Sequence, residues 1–147
     1  MRSSFLGGVA AILPLSVLPA LSPKQRPFPV DFPLILGASI TERPAAARRI
    51  GWPLHFLNAG IFGLGYRVAF DWLRRQPNPT TGALLGLAHG LASSAFLAVL
   101  PAVHPHPKAA GLPSRASDYP PRVWAAMLAG HMGFGMLTGK LLERRPL

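Results

Sequence analysis

Five histidines are the residues of this chain best suited to chemistry. His55, His89 and His131 each lie inside a long apolar run, and His104 and His106 follow the third of four such runs. Neutral imidazole is a common ligand for metals and haem, and it titrates close to neutral pH. The same ring can also hydrogen-bond between packed helices without binding anything. The histidines therefore indicate either a ligand or proton site, or polar groups that join helices.

The elements that must position these rings are four apolar runs of membrane-spanning length. About 20 residues cross ~30 Å of hydrocarbon at 1.5 Å per residue. We predict an all-α fold, an integral membrane bundle of about four transmembrane helices that forms a single domain over residues 1–147. The predicted helices cover residues 5–21, 50–72, 82–103 and 123–142. A cleaved signal peptide is the alternative for the first run, and the apolar island at residues 32–39 is too short to span.

The charge distribution favours a membrane location. The chain has 15 Lys and Arg against 5 Asp and Glu, a net charge of +10, and its charges gather at the ends of the apolar runs. This pattern is typical of flanks that meet anionic headgroups, whereas nucleic-acid binders cluster their charge on one face. We therefore expect the lipid bilayer as partner, no nucleic acid, and a multi-pass protein of the cell (inner) membrane. With no cysteine, disulfides and thiolate metal sites are excluded.

Small residues predict how the helices approach each other. In the third run, Gly82, Gly86, Gly90 and Ser94 recur every four residues and therefore share one helix face. Such a face allows close backbone contact where lipid offers no hydrophobic driving force. The spacing fits packing within the chain, and it equally fits a homo-oligomer or a membrane-protein partner.

The depth of each histidine can be estimated from the helical rise. We name the membrane face with the two long loops face A, and the face with both termini face B. At 1.5 Å per residue, His55, His131 and His89 lie roughly 8, 12 and 21 Å below face A. A polar ring that faces lipid without a partner costs several kcal/mol. We therefore expect His55, His131 and at least one of His104 and His106 to line one polar recess, with His89 at its inner end.

Two classes of function follow from these rings. In the first, the protein is a structural or accessory membrane bundle, and its histidines are packing groups. In the second, it binds haem or a divalent metal, or handles protons or cations. The candidate cofactor ligands are His55, His89 and His131, of which His55 and His131 are the pair best matched in depth for haem. The candidate metal ligands are His55, His131, His104 and His106. The sequence contains no catalytic motif, and we do not predict an enzyme.

Several motifs also resemble a known group of proteins. In chain order they read "DFPLILGASIT", "GWPLHFLNAGIFGLGY", "GALLGLAHG", "LPAVHPHP" and "AGHMGFGMLTGKLL". Together they resemble a family of small, uncharacterised, four-helix bacterial membrane proteins with histidines at positions that match His55, His89, His104 and His131. The resemblance implies a membrane fold of about four helices, and it implies no particular activity.

Overall fold

The protein is built from five α-helices in the part of the chain that the structure describes. This computed structural model describes residues 2–21 and 30–143, with side chains from residue 2 to 17 in the first helix. The helices are α1 (Arg2–Leu21), α2 (Phe32–Ala38), α3 (Pro44–Trp72), α4 (Pro79–Val103) and α5 (Pro121–Leu142). A short 3-10 turn, Ala116–Asp118, precedes α5. The described residues contain no strand, and the predicted all-α class is confirmed.

Proline explains why three helices begin earlier than predicted. Pro44, Pro79 and Pro121 each occupy the first position of a helix. Proline fits there because its fixed φ suits the helix and because the first N–H groups have no partner within it. At α4 the Asn78 side chain also caps the first turn by accepting a hydrogen bond from the Thr81 N–H at 2.9 Å. The apolar runs begin after these first turns, so the hydrophobic pattern alone places the helix starts too late.

The long helices pack as antiparallel neighbours. Along α1 and α3, Gly8 lies against Gly63, whereas Ser16 lies against His55. The beginning of α1 also meets the end of α5, where Gly7 faces Leu142. The beginning of α1, the α3–α4 turn and the end of α5 therefore share one end of the bundle, which we call end B. The loops before α3 and α5 lie at the opposite end, end A. The start of α1 and the end of α5 thus lie at the same end of the bundle, while residues 1 and 144–147, which carry the predicted placement of the termini, lie outside the described residues.

The small-residue face of α4 packs against α5 of the same chain. A Cβ atom added at Gly82 or Gly86 would collide with the α5 backbone, and one added at Gly90 would lie 3.1 Å from the His131 Cβ. The helix backbones are therefore in direct contact. The three glycines are already covered within the chain, so they are not free to form the predicted contact with a partner. Ser94 continues the same face, and its buried hydroxyl has no partner among the described residues.

Helix α2 closes end A of the bundle. It packs on the first turns of α3, where Gly37 lies against the Ala47 backbone. Its Leu34 and Ile35 side chains are buried in a cluster with residues of α4 and α5, including Leu97, Leu100, Val123 and Met127. The apolar island at residues 32–39 is therefore a short helix, as its length requires. It is covered by the other helices.

Only part of the membrane prediction is supported by helix length and composition. Among the described helices, Pro79–Val103 alone is long and apolar enough to cross a membrane, while the apolar part of the first helix is shorter. The buried core helix of a soluble protein can have the same length and composition. Helices α3 and α5 fall short because glycines and one histidine interrupt the apolar residues of each, and α3 also contains Pro53 and Asn58. The all-α class is confirmed, whereas four membrane spans are not.

The contact between α4 and α5 yields a test with a matched glycine. A Cβ added at Gly135 would collide with the Gly82 carbonyl and lie 2.8 Å from the Gly86 Cα, whereas one added at Gly65 meets nothing within 4 Å. We expect Gly135→Ala to lower the free energy of unfolding by about 1–3 kcal/mol, because the two backbones must separate. Gly65→Ala should be neutral or stabilising by about 0.5–1 kcal/mol. Thermal unfolding of both variants in detergent measures the difference, and equal melting temperatures would contradict the contact.

Candidate functional site

Two of the five histidines meet in the middle of the bundle. The ring centroids of His89 on α4 and His131 on α5 are 4.6 Å apart, and the rings meet edge to face at 78°. We call these two residues the histidine pair. Helix α3 contributes two neighbours, Phe62 with its ring centroid 4.0 Å from that of His89, and Tyr66. Three helices therefore converge on this pair.

Hydrogen bonds define the chemical state of the pair. The His131 Nδ1 atom lies 2.7 Å from the Met127 carbonyl oxygen. Because a carbonyl only accepts, Nδ1 must carry the proton, and in the neutral ring Nε2 keeps the lone pair. The Nδ1 atom of His89 lies 3.4 Å from the Tyr66 hydroxyl. Both Nδ1 atoms thus have a partner, whereas neither Nε2 atom has one among the described residues.

Aromatic rings join α3 to the pair. The Tyr66 and Phe134 rings pack edge to face with centroids 5.6 Å apart, and both residues are buried. Phe134 also lies edge to face with His89 at 6.3 Å. These side chains fill the space between α3 and the α4–α5 contact. In the described chain, no carboxylate forms an ion pair with either histidine, so aromatic and backbone groups dominate this environment.

His55 occupies a separate position between α1 and α3. Its Nε2 atom lies 2.9 Å from the Ser16 hydroxyl oxygen of α1. The ring is stacked on Phe32 of α2, with centroids 6.2 Å apart and planes within 5°, and it meets the edge of Trp52. This buried imidazole therefore links three helices near end A. The haem hypothesis required His55 to pair with His131, whereas His55 bonds to Ser16 and His131 contacts His89.

His104 is buried and fully engaged in hydrogen bonds. Its Nε2 atom lies 3.0 Å from the Ile35 carbonyl, to which it must donate. Its Nδ1 atom accepts a hydrogen bond from the His106 backbone N–H at 3.1 Å. No lone pair is left for a metal in this conformation. The ring ties the end of α4 to α2, and metal binding at His104 would require one of these two hydrogen bonds to break.

The five histidines do not form the single recess that their depths suggested. The His106 Nδ1 atom lies 2.9 Å from the Glu42 carboxylate at the surface. No three His, Asp or Glu residues within the described ranges are grouped as a metal site, so His55, His131, His104 and His106 are not gathered. Two shallow recesses at the surface contain no histidine in their linings. Depth is set by position along a helix, whereas convergence also requires a helix rotation that spacing does not fix.

Sequence reasoning missed the aromatic partners of the histidine pair. Phe62 and Tyr66 are four residues apart on one face of α3, and Phe134 follows His131 by three residues on α5. Residues three or four apart are neighbours on a helix surface. In the sequence, an aromatic pair with this spacing could have indicated that α3 presents an aromatic face to the histidines of its neighbouring helices.

Comparisons of the chain with family models, with curated proteins and with solved structures found no match. The resemblance to small bacterial membrane proteins therefore stays a prediction that depends on the quoted motifs.

The hydroxyl of Tyr66 can be tested against that of Tyr119. Tyr66→Phe removes the hydrogen bond to His89, and we expect a loss of about 0.5–1.5 kcal/mol in the free energy of unfolding. The Tyr119 hydroxyl is buried without a partner among the described residues, and burial raises the pKa of this phenol. Tyr119→Phe should therefore cause no loss, since it removes an unsatisfied polar group. Chemical denaturation of both variants measures this, and an unchanged stability of Tyr66→Phe would contradict the bond.

Proposed function

We propose that this protein is a multi-pass integral membrane protein, an accessory or structural helix bundle whose histidines join its helices. The observation that carries the proposal is an uncharged band around the bundle in which most outward side chains are apolar, with Asn58 of α3 as an exposed polar exception. Charged residues are absent from positions 3–23, 50–66, 76–107 and 123–139. The shortest of these stretches has 17 residues and reaches about 25 Å as a helix. Lys and Arg side chains at its ends can extend to the headgroups.

The outward faces within this band support a lipid environment. Leu57 and Ile61 on α3, and Leu84, Leu91 and Phe96 on α4, are all exposed large apolar residues. A soluble monomer rarely exposes contiguous apolar surface on this scale. Lipid would cover these side chains without any further partner.

The charged residues lie on either side of the uncharged band. Basic residues near end A are Arg43, Arg48, Arg49, Lys108, Arg115 and Arg122, and those near end B are Arg2, Arg67, Arg74, Arg75 and Lys140. This separation is the pattern expected where two layers of anionic headgroups border a hydrocarbon core.

The contacts of the histidines support an accessory role over a catalytic one. His55 bonds to α1, His104 bonds to α2, and His89 bonds to α3. Interhelical bonds of this kind stabilise bundles in membranes, where unpaired polar groups are costly. Membership of the family of small four-helix bacterial membrane proteins that the motifs resemble would be consistent with this role.

A lysine at the centre of α4 tests the membrane proposal. Leu91 is the central residue of α4 and is 57% exposed, whereas Val103 at the end of the helix is 65% exposed. In a bilayer, Leu91→Lys should cost roughly 2.5–3.5 kcal/mol, while lysine at Val103 can reach the headgroups. We expect wild type and Val103→Lys to stay in membranes washed with alkaline carbonate, and Leu91→Lys to accumulate poorly there. Release of the wild type by carbonate, or better solubility of Leu91→Lys in water, would refute the proposal.

The histidine pair favours a divalent metal as a second candidate function. Metal-binding histidines commonly donate their other ring N–H to a carbonyl or another polar group. His131 does so toward Met127, and His89 can do so toward Tyr66, which leaves both Nε2 atoms as potential ligands. Haem is not favoured by this geometry, because its axial ligands lie on opposite sides of the macrocycle, whereas these two rings contact each other.

Cobalt titration separates the two candidates. If the pair binds metal, purified protein should bind one equivalent of Co²⁺ with visible absorption, and His89→Gln or His131→Gln should abolish it. His55→Gln is the matched control, because this buried ring lies between α1 and α3, outside the pair. If the wild type binds no metal while His89→Gln still lowers its melting temperature, the histidines are packing groups and the ligand hypothesis is wrong.

A further inference from the structure

A recess at end B is lined by basic and polar residues that the proposed function does not use. Its volume is about 270 Å³, and it opens at the turn between α3 and α4. We call it the arginine recess, and its lining residues are Arg67, Phe70, Asp71, Arg74, Arg75, Gln76 and Pro77. Its position at the end of the uncharged band gives it the depth of the lipid headgroups if the bundle spans a membrane.

The arginine recess keeps a net positive charge after its internal ion pair is counted. Arg67 and Asp71 form a two-point ion pair with N–O distances of 2.8 and 3.0 Å. Arg74 and Arg75 form no ion pair with any residue in the described ranges, and both are exposed. Two guanidinium groups therefore remain available, and guanidinium binds phosphate oxygens at two points.

The backbone at Arg74 takes a conformation that residues with a side chain rarely adopt. The Arg74 N–H donates to the Asp71 carbonyl at 3.1 Å, and the Arg75 N–H donates to the Phe70 carbonyl at 3.0 Å. This pair of bonds is the helix-ending Schellman motif, in which glycine normally occupies the left-handed position. Arg74 takes that position with φ 51°, the only positive φ of a non-glycine residue in the described part of the chain. A strained residue of this kind is a reason to look for function.

Neighbouring residues place the recess at the membrane surface. Trp72 directly precedes the turn, and it is 82% exposed. Tryptophan concentrates at the boundary between hydrocarbon and headgroups, so its ring marks that level beside Arg74. Basic pockets at this level bind the phosphate groups of anionic lipids.

We propose that the arginine recess binds the phosphate of an anionic lipid headgroup through Arg74 and Arg75. This proposal rests on the proposed membrane location. Free phosphate in water carries the same phosphate group as the lipid and could also bind in this recess. The lipid is favoured because Trp72 and the apolar band bring the recess to the headgroups.

Full-length protein in nanodiscs tests the proposal. One set of discs contains phosphatidylcholine alone, and the other contains phosphatidylcholine with phosphatidylglycerol. We expect phosphatidylglycerol to raise the melting temperature of the wild type and to bind preferentially in native mass spectrometry. Each arginine should contribute about fivefold to this preference, from roughly 1 kcal/mol per basic residue. Inorganic phosphate added to protein in detergent tests the binding of a free anion. It should give no comparable shift in the melting temperature.

Arg74→Gly separates binding from structure. Glycine suits the left-handed position, so this variant should melt at the same or a higher temperature in phosphatidylcholine alone. It should nevertheless lose most of the shift caused by phosphatidylglycerol, as should Arg75→Gln. Arg49→Gln removes an exposed arginine at end A, and it should keep the full shift.

The outcomes distinguish the two proposals. If Arg74→Gly responds to phosphatidylglycerol as the wild type does, or if Arg49→Gln loses as much of the response, the recess is not the lipid site. If inorganic phosphate reproduces the whole shift, the lipid assignment is wrong. Protein that inserts into discs but does not distinguish the lipids overturns only the recess, whereas protein that fails to insert overturns the membrane proposal as well.

Discussion

Direct contact between helix backbones is the interaction on which the rest of this structure depends. Gly82 and Gly86 of α4 lie against the backbone of α5, and Gly8 of α1 lies against Gly63 of α3. Any side chain at these points would separate the helices and remove many weak dispersion contacts at once. Where lipid surrounds a bundle, such packing replaces the hydrophobic driving force that water provides to soluble proteins. The glycines therefore fix which helices are neighbours.

The position of the histidine pair follows from these contacts. The Cβ of His131 lies next to Gly90, so the ring begins at the contact between α4 and α5. Helices α3 and α4 do not approach through glycine, and the space between them is filled by Phe62, Tyr66 and His89. The histidine pair thus lies between the backbone contact of α4 with α5 and the aromatic contact of α3 with α4. This arrangement serves equally well as a packing device and as a pair of potential ligands, which is why metal binding is the decisive measurement.

The two ends of the bundle differ in how far they are covered by a further helix. At end A, α2 covers the helix ends, and buried His104 joins α2 to α4. At end B, no comparable helix in the described part covers the α3–α4 turn, and the exposed Arg74 and Arg75 line an open recess. A membrane protein with this asymmetry would contact the headgroups of one leaflet more directly than those of the other. The near balance of basic residues in the sequence gives no indication of this difference.

The sequence alone determined the class of the fold and the approximate positions of four long helices, because apolar runs of this length can satisfy their backbone hydrogen bonds only as helices in a low-polarity environment. It also indicated the small-residue face of α4, since that face depends on spacing within one helix. Tertiary structure decided that His89 meets His131 while His55 and His104 bond elsewhere. It also decided that Arg74 takes the left-handed position at the end of α3. These outcomes depend on the rotation of each helix about its axis and on the conformation of a turn, and packing between helices sets both.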